Sequence, residues 1–456
     1  MDRMFKTFLD GWLGGPSRMP LVIRGARQVG KTWLVRDLAK RKGLVLVEVN
    51  FERDSRSAQF FDHADPKRVF DDITLSLDIN AEPDQAVLFL DEIQAAPEVL
   101  AKLRWFAEEM PELPVIAAGS LLEFSLAEFS SSMPVGRIRY AHVEPLSFCE
   151  YLIAHDRTKL LARLREWSPP DSLSLAVHEQ AEAWFDRYAM VGGMPGIVSK
   201  ELSGVSPGEC RSLQRDLVQT YRDDFAKYSG RLEHQLLDPI LLQVVRSLGS
   251  KFVYSQVGGG IKHYKVKKAL ELLAMARVCH LIPHSDANGF PLAAQVNDGM
   301  RKVSLLDVGF AHGLWNTPAG QAFPGVGELA PQIRSGMAEQ LAAQQLRLAV
   351  GDPTLMGQLY YWQRGGGRSG EIDYLLELNG RVIPVEVKSG TAGSMKSLHH
   401  FMFDKQLDIA VRIDRNPPTR QTVEVRTTHG DPVAYELLNI PHYLTWRLPE
   451  LLGQRF

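Results

Sequence analysis

The chain has 456 residues, enough for two or three domains, and a formal net charge of −2. That balance gives no overall polyanion-binding character, and no uncharged apolar run is long enough to span a membrane. Cys149, Cys210 and Cys279 lie too far apart for a zinc motif or a disulfide framework, which fits a reducing cytoplasm. Met1 to Lys6 lacks the apolar core of an export signal, so a cytoplasmic location without a membrane partner is expected.

Residues 1 to about 20 read as a short amphipathic helix with Phe5, Phe8, Leu9 and Trp12 on one face, closed by a Gly-Gly-Pro turn. Pro20 to Arg24 is a short apolar strand and Trp33 to Ala39 a helix. Between them lies Gly25-Ala26-Arg27-Gln28-Val29-Gly30-Lys31-Thr32, a complete G-x-x-x-x-G-K-[ST] sequence. The glycines let backbone N–H groups turn inward around an anion, and the helix that follows directs its positive dipole end there. Lys31 reaches β- and γ-phosphates, and the Thr32 hydroxyl ligates Mg²⁺.

A further strand, Leu44 to Val49, separates the loop strand from the next one in sequence. Ala86-Val87-Leu88-Phe89-Leu90 is a continuous apolar run, as expected of a buried parallel strand, and it ends in Asp91-Glu92. Its C-terminal end faces the ligand crevice. Asp91 is expected to hold the Mg²⁺ shell and Glu92 to polarise water, which favours hydrolysis over nucleotide storage. Val115 to Ser120 is another apolar strand, ending in a hydroxyl that senses the γ-phosphate or holds the lytic water. In Gly136-Arg137-Ile138-Arg139, Arg137 is the first candidate and Arg139 the second for stabilising transition-state charge. That arginine acts in cis or from a neighbouring subunit, the latter implying a homo-oligomer.

Residues 145 to about 230 are mostly helical, broken at Ser168-Pro169-Pro170, and suit a lid or linker bundle. Residues 235 to 286 read as helix, turn, helix and strand, the order of a winged helix. Lys262, Lys265, Lys267 and Lys268 crowd the start of its second helix, where basic residues contact duplex DNA phosphates or simply form a solvated face of a protein-contact module.

Asn379-Gly380 between two strand-like runs is a strong hairpin signal. A two-residue turn pairs Leu378 with Arg381, puts Asp373 across from Glu386, and Glu371 across from Lys388. Asp373, Glu386 and Lys388 then share one face. Opposed like charges are destabilising without a cation between them; a metal ion held by Asp373 and Glu386 is one candidate and Lys388 the other. This D…E-x-K arrangement resembles the restriction-endonuclease-like fold. The resemblance implies that the two acids hold Mg²⁺ and the lysine assists the attacking water, with Glu339 as a further acid from the preceding helix.

Arg24 to Thr32, Leu88 to Gln94, Ala118 to Ser120 and Gly136-Arg137 resemble the AAA-superfamily ATPase domain of a large group of prokaryotic proteins. The resemblance continues through Glu144 to Phe148 and Val191 to Pro195. Asp307 to Phe310 and Val385 to Gly390 resemble the domain of unknown function that follows this ATPase. The likeness implies ATP and Mg²⁺ as ligands, and hydrolysis.

The expected fold class is α/β. A P-loop NTPase parallel sheet over 1–145 is followed by a helical lid over 146–234. A winged-helix module over 235–290 and a restriction-endonuclease-like domain over 291–456 complete the chain. Hydrolysis of ATP is the leading expectation. An ATP-gated metal-dependent nuclease and a DNA-binding nucleotide switch are the rivals.

Overall fold

A computed structural model describes residues 2–120, 122, 136–227, 234–258, 260–315, 331–365 and 370–453. The N-terminal unit contains α1 (Phe5–Leu13), β1 (Leu21–Arg24), α2 (Lys31–Lys42), β2 (Val45–Asn50) and α3 (Pro66–Leu77). It continues with β3 (Ala86–Asp91), α4 (Val99–Glu109), β4 (Val115–Ala118) and β5 (Arg139–His142). The five strands form one parallel sheet in the order β2-β3-β4-β1-β5. β4 therefore lies between the loop strand and the Asp91 strand, and β2, which separates them in sequence, is at the sheet edge.

The central strands β3 and β4 are buried along their whole length because helices cover both faces of the sheet, while the edge strands β2 and β5 are only partly buried. Leu21 and Ile23 point to the core shared with α1 and α2, while Val22 points to the opposite core under α3 and α4. All six residues of β3 are buried. α1 is held by Phe5, Leu9 and Trp12, with the Trp12 indole donating to the Met19 carbonyl at 2.9 Å.

The helical segment comprises α5 (Phe148–Ala154), α6 (Thr158–Glu166), α7 (Leu175–Val191), α8 (Pro195–Leu202) and α9 (Pro207–Lys227). The break expected at Ser168-Pro169-Pro170 falls between α6 and α7. Then follow α10 (His234–Arg246), α11 (His263–Met275), β6 (Cys279–Ser285) and β7 (Val296–Leu305).

The C-terminal part contains α12 (Val308–Leu314), α13 (Pro331–Val350), β8 (Tyr360–Gln363), β9 (Glu371–Leu378), β10 (Arg381–Val387) and α14 (Lys396–Lys405). It ends with β11 (Ile409–Asp414), β12 (Thr419–Arg426), β13 (Pro432–Pro441) and α15 (Leu448–Gly453). The second sheet runs β12-β13-β11-β10-β9-β8-β6-β7.

The boundary expected at 290 falls inside this sheet. β6 and β7 pair antiparallel, Cys279 against Leu305, and β6 meets β8 at His284 and Tyr361. The first half of β7 carries Asn297, Asp298 and Gly299, so its sequence reads as loop, and only the pairing makes it strand. One apolar cluster runs from α1 through the helical segment to α15, so the two sheets share a core. No helix among the described residues is long and apolar enough to cross a membrane.

Candidate nucleotide site

The loop from Gly25 to Gly30 leaves the C-terminal end of β1 and turns into α2. Gly30 sits at φ 94°, a conformation that disfavours any side chain, and it caps α2 with no side-chain hydrogen bond. The first turn of α2 carries no acidic residue. Its N–H groups are thus arranged to receive an external anion. The Lys31 ammonium folds back on the loop and donates to the Gly25 and Ala26 carbonyls at 3.0 and 2.9 Å.

Thr32 Oγ1 donates to the Asp91 carboxylate at 3.1 and 3.3 Å. Asn50 Nδ2 and the Glu92 backbone N–H also donate to Asp91, at 3.3 and 3.1 Å. Burial and the neighbouring Glu92 push the Asp91 carboxyl up to about 6. A hydroxyl against a carboxylate, beneath the phosphate loop, is an oxygen donor pair suited to a hard divalent ion. These residues therefore fit Mg²⁺ arriving with a nucleotide.

Glu92 stands at φ 53° just beyond β3. Its Oε2 accepts from Gln94 Nε2 at 2.6 Å and from Ser120 Oγ at 3.4 Å. The two strand ends, β3 and β4, thereby bring Glu92 and Ser120 together. Gln94 is a partner that sequence reasoning left without a role, although it closes the same motif.

A cleft of about 650 Å³ opens over this constellation. Its walls are Arg27, Gln28, Gly30, Lys31, Thr32, Trp33, Arg36, Glu92 and Ser120, together with Arg3 and with Pro195, Gly196 and Ser199 of α8. α8 reaches the cleft through the turn at Gly192-Gly193. The Gly193 N–H donates to Asp307 at 2.7 Å, and a Cβ on Gly192 would come within 2.1 Å of that carboxylate. The glycines and Asp307 are thus one contact between distant parts of the chain. α9 braces the loop from outside: Tyr221 Oη donates to the Arg27 carbonyl at 2.7 Å, and Arg27 pairs with Asp224 at 2.7 Å.

Arg3 was not anticipated. It is 7% exposed and donates to Glu150 at 3.0 Å, to the Val29 carbonyl at 3.1 Å and to the Glu144 carbonyl at 2.7 Å. No local signal marks it, because it precedes α1 and has Asp2 and Lys6 as charged neighbours in sequence. A second, more apolar cavity of about 450 Å³ lies on its far side, among Phe5, Phe8, Pro353, Met356 and Trp446, and contains none of the phosphate-loop residues.

Arg137 does not line the cleft. It is exposed and donates to Glu108 at 2.6 Å. Arg139 pairs with Leu21 at the start of the parallel strands, the sheet edge opposite the phosphate loop. Neither arginine reaches this chain's own site, because a parallel sheet separates its two edges by the strand length.

At the other hairpin, Leu378 pairs with Arg381 and Tyr374 with Val385, so the counted register holds to one step from Asp373 and Glu386. Glu386 contacts Lys388, and Asp373 Oδ2 accepts the Val387 N–H at 2.7 Å. Burial, then Asp373, push the Glu386 carboxyl up to about 7. Glu339 of α13 joins the cluster, but through Lys302 of β7, which sequence reasoning missed. No group of three or more acids, histidines or cysteines among the described residues is arranged to hold a metal ion. The lysines expected at a DNA face stand at the start of α11, with Lys262, Lys267 and Lys268 exposed.

Residues 17–152 match the family model described as an AAA domain. Residues 182–321 and 334–433 match two domains of unknown function, DUF8612 and DUF4143. No curated protein matches the chain. Among solved structures, the Walker-type ATPase PABY2304 of Pyrococcus abyssi is similar at 16% identity and TM-score 0.44, over 69% of this chain and 95% of that one. The Orc1 protein of Aeropyrum pernix in complex with DNA follows at 14% identity and TM-score 0.24, over 69% and 91%. AMPPCP-bound DnaA from Aquifex aeolicus follows at 12% identity and TM-score 0.25, over 60% and 76%. At these scores the likenesses assign nothing to this chain. The family match and the phosphate-loop geometry coincide: residues 17–152, which match an AAA domain, hold the Gly25–Thr32 loop and the Thr32–Asp91 contact.

Proposed function

We propose that the chain binds ATP·Mg²⁺ in the cleft above Gly25–Thr32 and hydrolyses it. The contact of Thr32 Oγ1 with Asp91, 3.1 Å apart beneath the loop and beside Glu92, carries this reading. The loop amides and the α2 N-terminus hold the phosphates, and Lys31 exchanges its loop carbonyls for phosphate oxygens. Thr32 and Asp91 would hold Mg²⁺ arriving with the nucleotide, which would supply neutralisation of phosphate charge. Glu92 orients the attacking water and takes its proton, while Ser120 and Gln94 fix the carboxylate that does so. Arg137 enters this reading in trans, on the site of a neighbouring copy in a homo-oligomer. Nucleotide state reaches the C-terminal half through α8 and Asp307.

Mutation tests the assignment. Lys31→Ala is expected to abolish ATP binding. Glu92→Gln keeps the shape and loses the base, so binding persists while turnover falls by about 10²–10⁴-fold. Equal turnover by Glu92→Gln and wild type would remove Glu92 from the mechanism.

A second reading rests on the exposed Lys262, Lys267 and Lys268 beside Tyr264, which is 63% exposed. In it, α10, α11 and the β6–β7 hairpin act as a winged helix that binds duplex phosphates, and the nucleotide switches that binding. Replacing Lys265, Lys267 and Lys268 by alanine is expected to weaken binding alike across sequences and to flatten its salt dependence. No DNA binding by the wild type at low salt would exclude this reading. The run α13, β8–β10, α14, β11 also supports a restriction-endonuclease-like core in the C-terminal domain.

A further inference from the structure

The acids expected to take a metal at the C-terminal hairpin already surround a cation. Lys302 projects from β7, a strand outside the hairpin, and its side chain is 3% exposed. Its ammonium lies 3.0 Å from Glu339 of α13, in contact with Glu371, and 3.6 Å from Asp373, both of β9. The rings of Tyr361 and Tyr374 stand 5.6 and 5.8 Å from the same nitrogen. The remaining acid, Glu386, has Lys388. Asp373 receives the Val387 N–H on its other oxygen.

We propose that the Lys302 ammonium is the resident cation of this cluster, holding the position a divalent ion would need, so that the cluster is an ion-paired lock between β7, α13 and β9 rather than a metal centre. A small divalent ion demands near-octahedral oxygen coordination. Each acid of the cluster already has a cation beside it, Lys302 for Glu339, Glu371 and Asp373 and Lys388 for Glu386, and of their fully buried carboxylate oxygens only one, on Glu386, lacks a hydrogen-bond partner. An ammonium among the remaining acids repels a second cation, and burial prevents water from screening that repulsion. The three donors of an ammonium suit three converging carboxylates, and the two tyrosine rings add favourable faces. The residues therefore do not fit the metal that the D…E-x-K pattern implies. This inference is independent of the ATPase reading.

The test uses the full chain carrying Lys31→Ala, which removes nucleotide-linked metal. Calorimetric titration with Mn²⁺ to millimolar concentration is expected to show no heat that Asp373→Asn abolishes. Stoichiometric Mn²⁺ binding lost in Asp373→Asn would overturn the proposal, as would Mg²⁺-dependent DNA cleavage lost in that variant. Lys302→Met then removes the charge and keeps the stem. It is expected to lower the melting temperature, to recover with Mn²⁺ but not with K⁺ at equal ionic strength, and to bind Mn²⁺ roughly tenfold or more tighter than the Lys302 chain. A Lys302→Met protein that melts at the parent temperature and ignores Mn²⁺ would also overturn it.

Discussion

At the scale of single residues, buried charge decides most of what is distinctive here. Glu144 shows one outcome. Burial alone would raise its carboxyl, but the Arg347 guanidinium at 2.6 and 3.1 Å holds it down at about 2. Glu182 of α7 shows the other. Its contact with Arg415 at 2.7 Å does not offset burial, and the carboxyl is pushed up to about 7 from its ordinary 4.5. The folded chain therefore binds this proton more tightly than the unfolded chain. The resulting stability is full below pH 4.5 and is lost as pH rises through 7. Glu182→Gln removes that titration. Across pH 5–8 the wild type is expected to lose on the order of 3 kcal/mol more stability than the variant. Identical pH slopes in urea unfolding would refute this.

At the scale of elements, the local signals and the long-range ones separate cleanly. The phosphate loop, the acid strand and the Asn379-Gly380 hairpin are legible because each is specified within a few residues. The hairpin turn has φ of 53° and 72° at its two central residues, as the paired asparagine and glycine demand. Arg3 and Lys302 were not legible. Arg3 meets Glu150 across 147 positions, and Lys302 meets Glu339 across 37, with no spacing rule to connect them. β7 was missed because its polar first half becomes strand only by pairing with β6. Arg3, just before α1, joins that helix to the candidate site, since it ties Val29 of the loop to Glu144 and Glu150. Arg3→Ala leaves Glu150 buried without that partner and is expected to cost about 3–5 kcal/mol of stability. It also frees the Val29 carbonyl, so ATP affinity is expected to fall together with stability. Unchanged ATP affinity in a folded Arg3→Ala protein would detach α1 from the site.

At the scale of the whole molecule, α13 is the strut between the two sheets. Arg347 near its end pairs with Glu144 behind β5, and Gln344 donates to Asp307 at 2.8 Å and to Tyr188 at 2.9 Å. Gln340 exchanges hydrogen bonds with Leu305 at 2.8 and 2.9 Å, and Glu339 meets Lys302. One helix thus touches the N-terminal unit, the turn that leads to α8, the β6–β7 hairpin and the acid cluster. From the turn that leads to α8, polar contacts run through Asp307 and Gln344 into α13 and on to Lys302 of the C-terminal sheet. The placement of Arg137 at the far edge of its own sheet adds an intermolecular expectation. Arg137→Ala and Glu92→Gln are each expected to be slow, and their mixture to recover turnover, because some sites then combine an intact Glu92 with a neighbour's intact Arg137. A mixture no faster than its components would exclude the trans arrangement.

The account depends most on Glu92 acting as the base for ATP hydrolysis. The most direct measurement is the identity of the nucleotide retained after incubation with Mg²⁺ and ATP, separated from free nucleotide and analysed by chromatography. Wild type is expected to hold ADP and to have released phosphate, while Glu92→Gln holds intact ATP. Intact ATP on the wild type, or ADP formed equally by both proteins, would contradict it.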